Sequence, residues 1–322
     1  MGSKYLTADA IKKKFDDPVK VVSVTRSVYR VTDPDESNPR YAKVWLKHSQ
    51  SELEELVSID ADIGMPPHQL IKGDPHILVM EPVSGDPLPR VLLSNLLPGV
   101  WSVHSERLVQ AFENLGRTIG RLHSETQGET KSLDPSFLSF DRYDAITENT
   151  LATPIQQILD SSVVARLEEQ LPRVGEYEIP SSIVHGDLML FHVYVNDGGD
   201  VTLIDFDAAK RVPCIEDPIR FTCALELFIQ RLPYARKSKF QRLRFAFEEG
   251  YNQTGLPYTI DGEVWKTLRA VRHCSLLMYY HDKLPHNLST NNRLATRDRV
   301  KLGALRRIDT LLLKRVIREL VM

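Results

Sequence analysis

The 322-residue chain is poor in cysteine, in net charge and in long apolar runs. Its three cysteines, Cys214, Cys223 and Cys274, are an odd number without C-x-x-C spacing. Neither a disulfide framework nor a zinc ribbon is expected, but rather reduced, partly buried thiols in a cytoplasmic protein. Lys and Arg number 41 against 43 Asp and Glu, which argues against a general nucleic-acid-binding role. No apolar run approaches the ~18–20 residues that span a bilayer. The start, MGSKYLTADA, lacks a secretory apolar core, and Leu6 stands where a myristoylation motif has Ser or Thr. No membrane association is expected.

Apolar residues at 42% and charged residues at 26% describe an ordinary globular chain, long enough for two lobes with separate cores. Residues 20–47 are rich in Val, Tyr and Trp: KVVSVTRSVYRV and RYAKVWLK flank the turn-forming TDPDESNPR and read as a hairpin. SELEELVSIDADIG reads as a short helix and HILVMEPV as a strand ending in SGDPLPR, where a lobe boundary is placed. That gives residues 1–83 as a small β-rich lobe and 84–322 as a larger, mostly helical one. In SERLVQAFENLGRTIGRLHSE, Leu108, Phe112, Leu115, Ile119 and Leu122 recur at three- and four-residue steps, a single apolar stripe. A helix is expected near 154–171, a β-rich core at 181–206 and four helices after it.

Chemistry concentrates in IVHGDLMLFHVYVNDGGDVTLIDFD. Two alternating strands are joined by NDGG, a strong hairpin signal because glycine enters positive φ without steric cost. A turn centred on Gly198 and Gly199 would place His192 opposite Asp205, with Asp187 in the preceding loop facing the same space. Phosphoryl transfer needs a divalent metal on the phosphate oxygens and a carboxylate to orient and deprotonate the incoming hydroxyl. Asp187 fits the base; Asp205 and His192 fit the metal site, with Mg2+ natural for the carboxylate and softer metals also suited to imidazole.

HGDLMLFHVYV followed by LIDFDAA resembles the catalytic and metal-binding segments of the aminoglycoside phosphotransferase and choline kinase superfamily. Other segments agree in order over roughly residues 20–225. The resemblance implies an α+β, bilobal, protein-kinase-like fold using ATP or GTP with Mg2+. In YAKVWLK it makes Lys43 the lysine that grips the nucleotide phosphates. In ELEELVSIDADIG it makes Glu54 the best-spaced partner for that lysine, with Glu52 and Glu55 as alternatives. HILVMEPVSGDPL is similar to the hinge strand that meets the base, near Glu81 and Val83. LGRTIGRLHSE resembles a further family helix.

The sequence departs from the family's pattern in three places, one of them Phe221 in EDPIRF, where the family often has an acid after Asp-Pro. Histidine, His192, replaces the usual metal-binding asparagine, as in the similar macrolide phosphotransferases. The nucleotide loop, SVTRSVYRV, has no glycine and offers only Ser23, Thr25 and Ser27 to the phosphates. The histidine and the glycine-free loop motivate a rival reading, a pseudokinase that senses nucleotide or binds a partner without turnover. A third reading is a metal hydrolase built on His185, Asp187, His192 and Asp205. Structural roles are expected for His185 (holding the catalytic loop), His123, Asp217, and Met278 with its neighbouring tyrosines. Between Asp217 and Pro285, eleven Lys and Arg face seven Asp and Glu. That balance leans away from a polycationic acceptor and toward a neutral or anionic hydroxyl: a sugar, a glycosylated metabolite, a macrolide-like antibiotic or a peptide Ser or Thr.

Overall fold

The structure is a computed structural model. It describes residues 7–15, 19–24, 28–32, 39–45, 50–59, 62–73, 76–96, 101–138, 145–147, 150–231, 237–254, 262–279 and 296–322. The chain divides into two compact units. The first comprises Met1–Gln127, Ser182–Arg211 and Phe245–Gly255; the second comprises Gly128–Ser181, Val212–Arg244 and Leu256–Met322.

The first unit opens with α1 (Ala8–Lys12), capped by the Thr7 hydroxyl, which accepts from Ala10 N–H at 3.2 Å. A five-stranded antiparallel sheet follows, built from β1 (Lys20–Ser23), β2 (Val28–Thr32), β3 (Arg40–Trp45), β4 (His68–Ile71) and β5 (His76–Met80), in the order β1-β2-β3-β5-β4. Two strands, rather than one, come from KVVSVTRSVYRV, and the expected hairpin forms between β2 and β3. The strand β4, in HQLI, has no strong period-2 signal of its own and was not expected. Alternation in β3 sends Ala42 and Val44 into a core with Ile11, Val31, Ile77 and Val79, and Lys43 to the opposite face.

Helix α2 (Gln50–Val57) follows β3, burying Leu53 and Leu56. After the short β6 (Asp86–Pro87) come α3 (Leu88–Leu96) and the long α4 (Trp101–Glu125). The five stripe residues expected in α4 are all buried. Across α4, the end of α8 (Lys237–Asn252) approaches backbone to backbone. A Cβ on Gly116 would lie 2.0 Å from the Phe247 carbonyl oxygen, and one on Gly250 2.0 Å from that of Glu113.

In the second unit, β7 (Thr130–Ser132) pairs antiparallel with the first half of β10 (Glu178–Val184). The intervening β8 (Ile146–Thr147) and β9 (Thr150–Leu151) form a two-stranded pair. The helix expected near 154–171 is two helices, α5 (Thr153–Ile158) and α6 (Ser161–Val174). Leu159 and Asp160 are extended, and the Asp160 carbonyl restarts the ladder by accepting from Val163 and Val164 N–H at 3.0 Å each. After β13 (Lys210–Pro213), α7 (Glu216–Gln230), α9 (Gly262–Met278) and α10 (Thr296–Val321) bury Ile219, Leu227, Leu268, Val271, Leu277, Leu313 and Ile317 with the α6 residues Val163, Leu167 and Leu171. All three cysteines are free and buried. Among the described residues, no helix is long and apolar enough to cross a membrane.

Candidate functional site

Strand β10 ends at Val184, and the loop His185–Met189 leads into a 3₁₀ turn (Leu190–His192) and β11 (Val193–Val195). Its partner β12 (Val201–Leu203) is followed by Asp205 and a second 3₁₀ turn, Phe206–Ala208. From Ser182 onward, all of these lie in the first unit.

The hairpin register differs by one from the expected one. Val193 faces Leu203 and Val195 faces Val201, so the loop holds three residues, Asp197–Gly199, with Gly199 at φ 85. The Asn196 side-chain oxygen accepts the Asp200 N–H at 2.9 Å, and Gly199 N–H donates to Asn196 O at 3.1 Å, which closes a three-residue turn in place of the two-residue one. His192 therefore faces Ile204, whose N–H donates to His192 O at 2.9 Å. Asp205 still reaches the imidazole because its backbone is left-handed, φ 69 and ψ 51, the one described non-glycine residue in that region. His192 Nε2 lies 3.6 Å from Asp205 Oδ2. At the turn end, Arg107 Nε donates to Asn196 O at 3.1 Å and Asn114 Nδ2 to Gly199 O at 3.0 Å, both from α4.

Hydrogen bonds orient both histidines. His192 Nδ1 donates to the Asp187 carbonyl at 2.7 Å, so in the neutral ring the Nε2 lone pair faces Asp205. His185 is fully buried. Its Nε2 donates to Ile204 O at 2.9 Å, its Nδ1 accepts the Asp187 N–H at 3.3 Å, and its ring packs 4.4 Å from that of Phe206. Both His185 nitrogens are thus engaged in holding the loop, which leaves none for the metal of a hydrolase. Gly186, at φ 74, allows the close approach: a Cβ there would meet Ala208 O at 2.0 Å.

The Lys43 Nζ reaches the same cluster, 2.6 Å from Asp205 Oδ1 and 3.2 Å from Asp207 Oδ1. Burial pushes the Asp205 carboxyl up, but the hydrogen bond and charge of Lys43, with His192 and His185, outweigh it and hold it below its ordinary value. The Asp187 carboxylate is 41% exposed and lies 3.8 Å from His192 Nδ1.

Other expected residues lie elsewhere. Glu54 does not meet Lys43: its carboxylate is 3.2 Å from Lys72 Nζ and 3.3 Å from His76 Nε2, because those two residues flank it from the end of β4 and the start of β5. Glu55 pairs with Arg211 at 2.6 Å, and the Glu52 side chain lies outside the described residues, as do Thr25 and Ser27. Ser23 ends β1, exposed. Glu81 N–H is already bonded to Pro67 O at 2.9 Å, and Val83 is half-buried beyond it. Asp207, two residues beyond Asp205, is the site residue that sequence reasoning missed. The acid repeated in DFD was the available signal.

At least four of the eleven cations counted after Asp217 are engaged within the fold. Arg220 pairs with Glu216, Arg231 with Asp309 and Arg269 with Glu226, while Arg272 donates to Leu138 O. Their excess therefore says little about an acceptor. Cys223, Glu226 and His273 form a second group with ligand atoms within 4.8 Å of one another, but the Glu226 carboxylate is shared between His273 and Arg269.

A family model, the phosphotransferase enzyme family, matches residues 64–247, from the end of the α2–β4 loop through the site to α8. The chain belongs to the phosphotransferase enzyme family. No curated protein matches it. Solved structures share its fold. A glucosamine kinase aligns with TM-score 0.60 and 15% identity over 92% of this chain and 79% of that one. An amicoumacin kinase in complex with AMP-PNP and Ca2+ aligns with TM-score 0.54 and 16% identity over 94% and 96%. The choline kinase LicA from Streptococcus pneumoniae aligns with TM-score 0.55 and 12% identity over 97% and 98%. The expected superfamily and the α+β, kinase-like fold are borne out. This phosphotransferase presents a lysine, two histidines and three aspartates in one connected cluster, held by its own backbone.

Proposed function

We propose that this phosphotransferase transfers the γ-phosphoryl group of ATP or GTP to a hydroxyl of a small molecule. The observation that carries the reading is the chain of contacts Lys43–Asp205–His192–Asp187, with each step at 3.8 Å or less. Asp187 accepts the acceptor's hydroxyl proton as its oxygen bonds to the γ-phosphorus and the bridging P–O bond breaks, releasing ADP or GDP. Lys43 holds the phosphates, and the backbone near Glu81–Val83 meets the base. Ser23, exposed at the end of β1, would serve the nucleotide phosphates.

His192 and Asp205 would hold the divalent ion. A ligand pair on Mg2+ sits roughly 3 Å apart. The two atoms, 3.6 Å apart, are both of a kind a divalent ion would take. Mg2+ there would neutralise charge on the phosphate oxygens. Everything else is positioning by the chain's own groups.

Neighbours of the same fold are named for glucosamine, amicoumacin and choline, which supports small polyfunctional hydroxyl compounds as acceptors over a peptide Ser or Thr. A catalytically silent pseudokinase is disfavoured, because the chain retains candidates for base, metal ligands and lysine in one place. Wild type and Asp187→Asn would be incubated with Mg2+, γ-labelled ATP or GTP, and a panel of sugars, amino sugars, choline, aminoglycosides, a macrolide and a Ser/Thr peptide. Label should move to one acceptor class with wild type alone. Equal nucleotide consumption by both proteins would overturn the proposal.

A further inference from the structure

The lysine of the cluster has two carboxylates, and only one of them is needed elsewhere. Asp205 uses Oδ1 for Lys43 at 2.6 Å and directs Oδ2 to His192 Nε2 at 3.6 Å. Under the phosphotransferase reading Asp205 must turn to a cation, and Lys43 would lose that partner as phosphate arrives. Asp207 remains, its Oδ1 3.2 Å from Lys43 Nζ.

The local backbone explains how two acids two residues apart reach one ammonium. Asp205 is left-handed, Phe206 is driven inward against the His185 ring, and the 3₁₀ turn brings Asp207 back to the open side. The sequence D-F-D is thus read as out, in, out. Meanwhile Glu54 is held by Lys72 and His76 on another part of the sheet.

We propose that Asp207 is the residue that positions Lys43 in this chain, doing the work the family resemblance assigns to a helix glutamate. It keeps the ammonium aimed at the phosphates while Asp205 is engaged with His192 around the cation. Without it, Lys43 has Asp205 as its sole described carboxylate, and lysine and cation compete for that group. The proposal rests on the phosphotransferase reading of the same site.

Calorimetric titration of the full chain with AMP-PNP or GMP-PNP in Mg2+ tests it. A partly exposed ion pair such as this one, at 3.2 Å, is worth up to about fivefold in affinity. Asp207→Asn should lose about that much, with Asp207→Glu recovering part of it. Glu54→Gln should lose less than Asp207→Asn. In a Lys43→Gln background, Asp207→Asn should add almost nothing, because its effect runs through the lysine; a merely structural role would add its full loss again. A larger loss from Glu54→Gln than from Asp207→Asn, or an undiminished loss in the Lys43→Gln background, overturns the inference. A wild-type chain that binds neither AMP-PNP nor GMP-PNP overturns the phosphotransferase reading first, and this inference with it.

Discussion

The His192 imidazole and the Asp205 carboxylate lie 3.6 Å apart although the two residues are not partners in the hairpin. With Nδ1 committed to the Asp187 carbonyl, Nε2 would offer a nitrogen to the proposed cation, where the family resemblance implies an amide oxygen. Nitrogen favours softer divalent ions than oxygen does. Wild type should therefore show a higher ratio of Mn2+- to Mg2+-supported turnover than His192→Asn. His192→Ala should lower turnover with both ions by about a hundredfold, in the range that metal-site changes produce. Steady-state rates in each ion check both statements.

The Asp205 carboxyl is held below its ordinary value, since Lys43 outweighs the effect of burial. A carboxylate whose native pKa is depressed stabilises the fold above its unfolded value, about 3.9. That contribution is lost as pH falls through the native value. Asp205→Asn, which tolerates the left-handed backbone, should therefore lower the urea midpoint at neutral pH, and the two proteins should converge in strong acid. A midpoint difference independent of pH would contradict the assignment.

The buried group in the second unit makes a stability prediction unconnected with catalysis. Arg269 is 3% exposed, and Glu226 holds both it and His273. Removing one partner of such a pair leaves an uncompensated charge and costs about 3–5 kcal/mol. Glu226→Gln should lower the unfolding free energy by that order. Burial raises Cys223, but His273, Arg269 and Arg272 outweigh it and draw the thiol down, whereas burial alone pushes Cys274 up to about 12. Once urea exposes both thiols, that contrast should vanish in thiol-titration rates.

Gly116→Ala and Gly250→Ala each drive a methyl group into a carbonyl oxygen 2.0 Å away, and no side-chain rotation relieves it. Overpacking typically costs about 1–3 kcal/mol. Each variant should lose at least that much by denaturant titration, while Gly175→Ala, whose nearest atom is 3.5 Å away, should stay close to wild type.

Much of this was legible from residues alone. The α4 stripe gave its buried face because helical period and burial are the same fact seen twice. The convergence of Asp187, His192 and Asp205 was expected from the hairpin's local path and Lys43 from the family resemblance, and the four side chains do lie together. The turn was misread because NDGG supports both a two- and a three-residue loop, and the side-chain bond from Asn196 selects the longer. The left-handed Asp205 then compensates, which strand alternation cannot predict. The Glu54 partner was misplaced because long charged side chains choose among several cations within reach, and sequence spacing does not rank them. The gap between α5 and α6 was hidden because apolar residues continue in step on both sides of it.

The hairpin is held at both ends. Arg107 and Asn114 grip its turn through the carbonyls of Asn196 and Gly199. At the opposite end His185 Nε2 donates to Ile204 O at 2.9 Å and Leu203 N–H donates to Gly64 O at 2.6 Å. Mechanically that is a beam pinned at both supports, with imidazole and carboxylate beside one pin, so adjustment of the cluster falls to its side chains rather than to its strands.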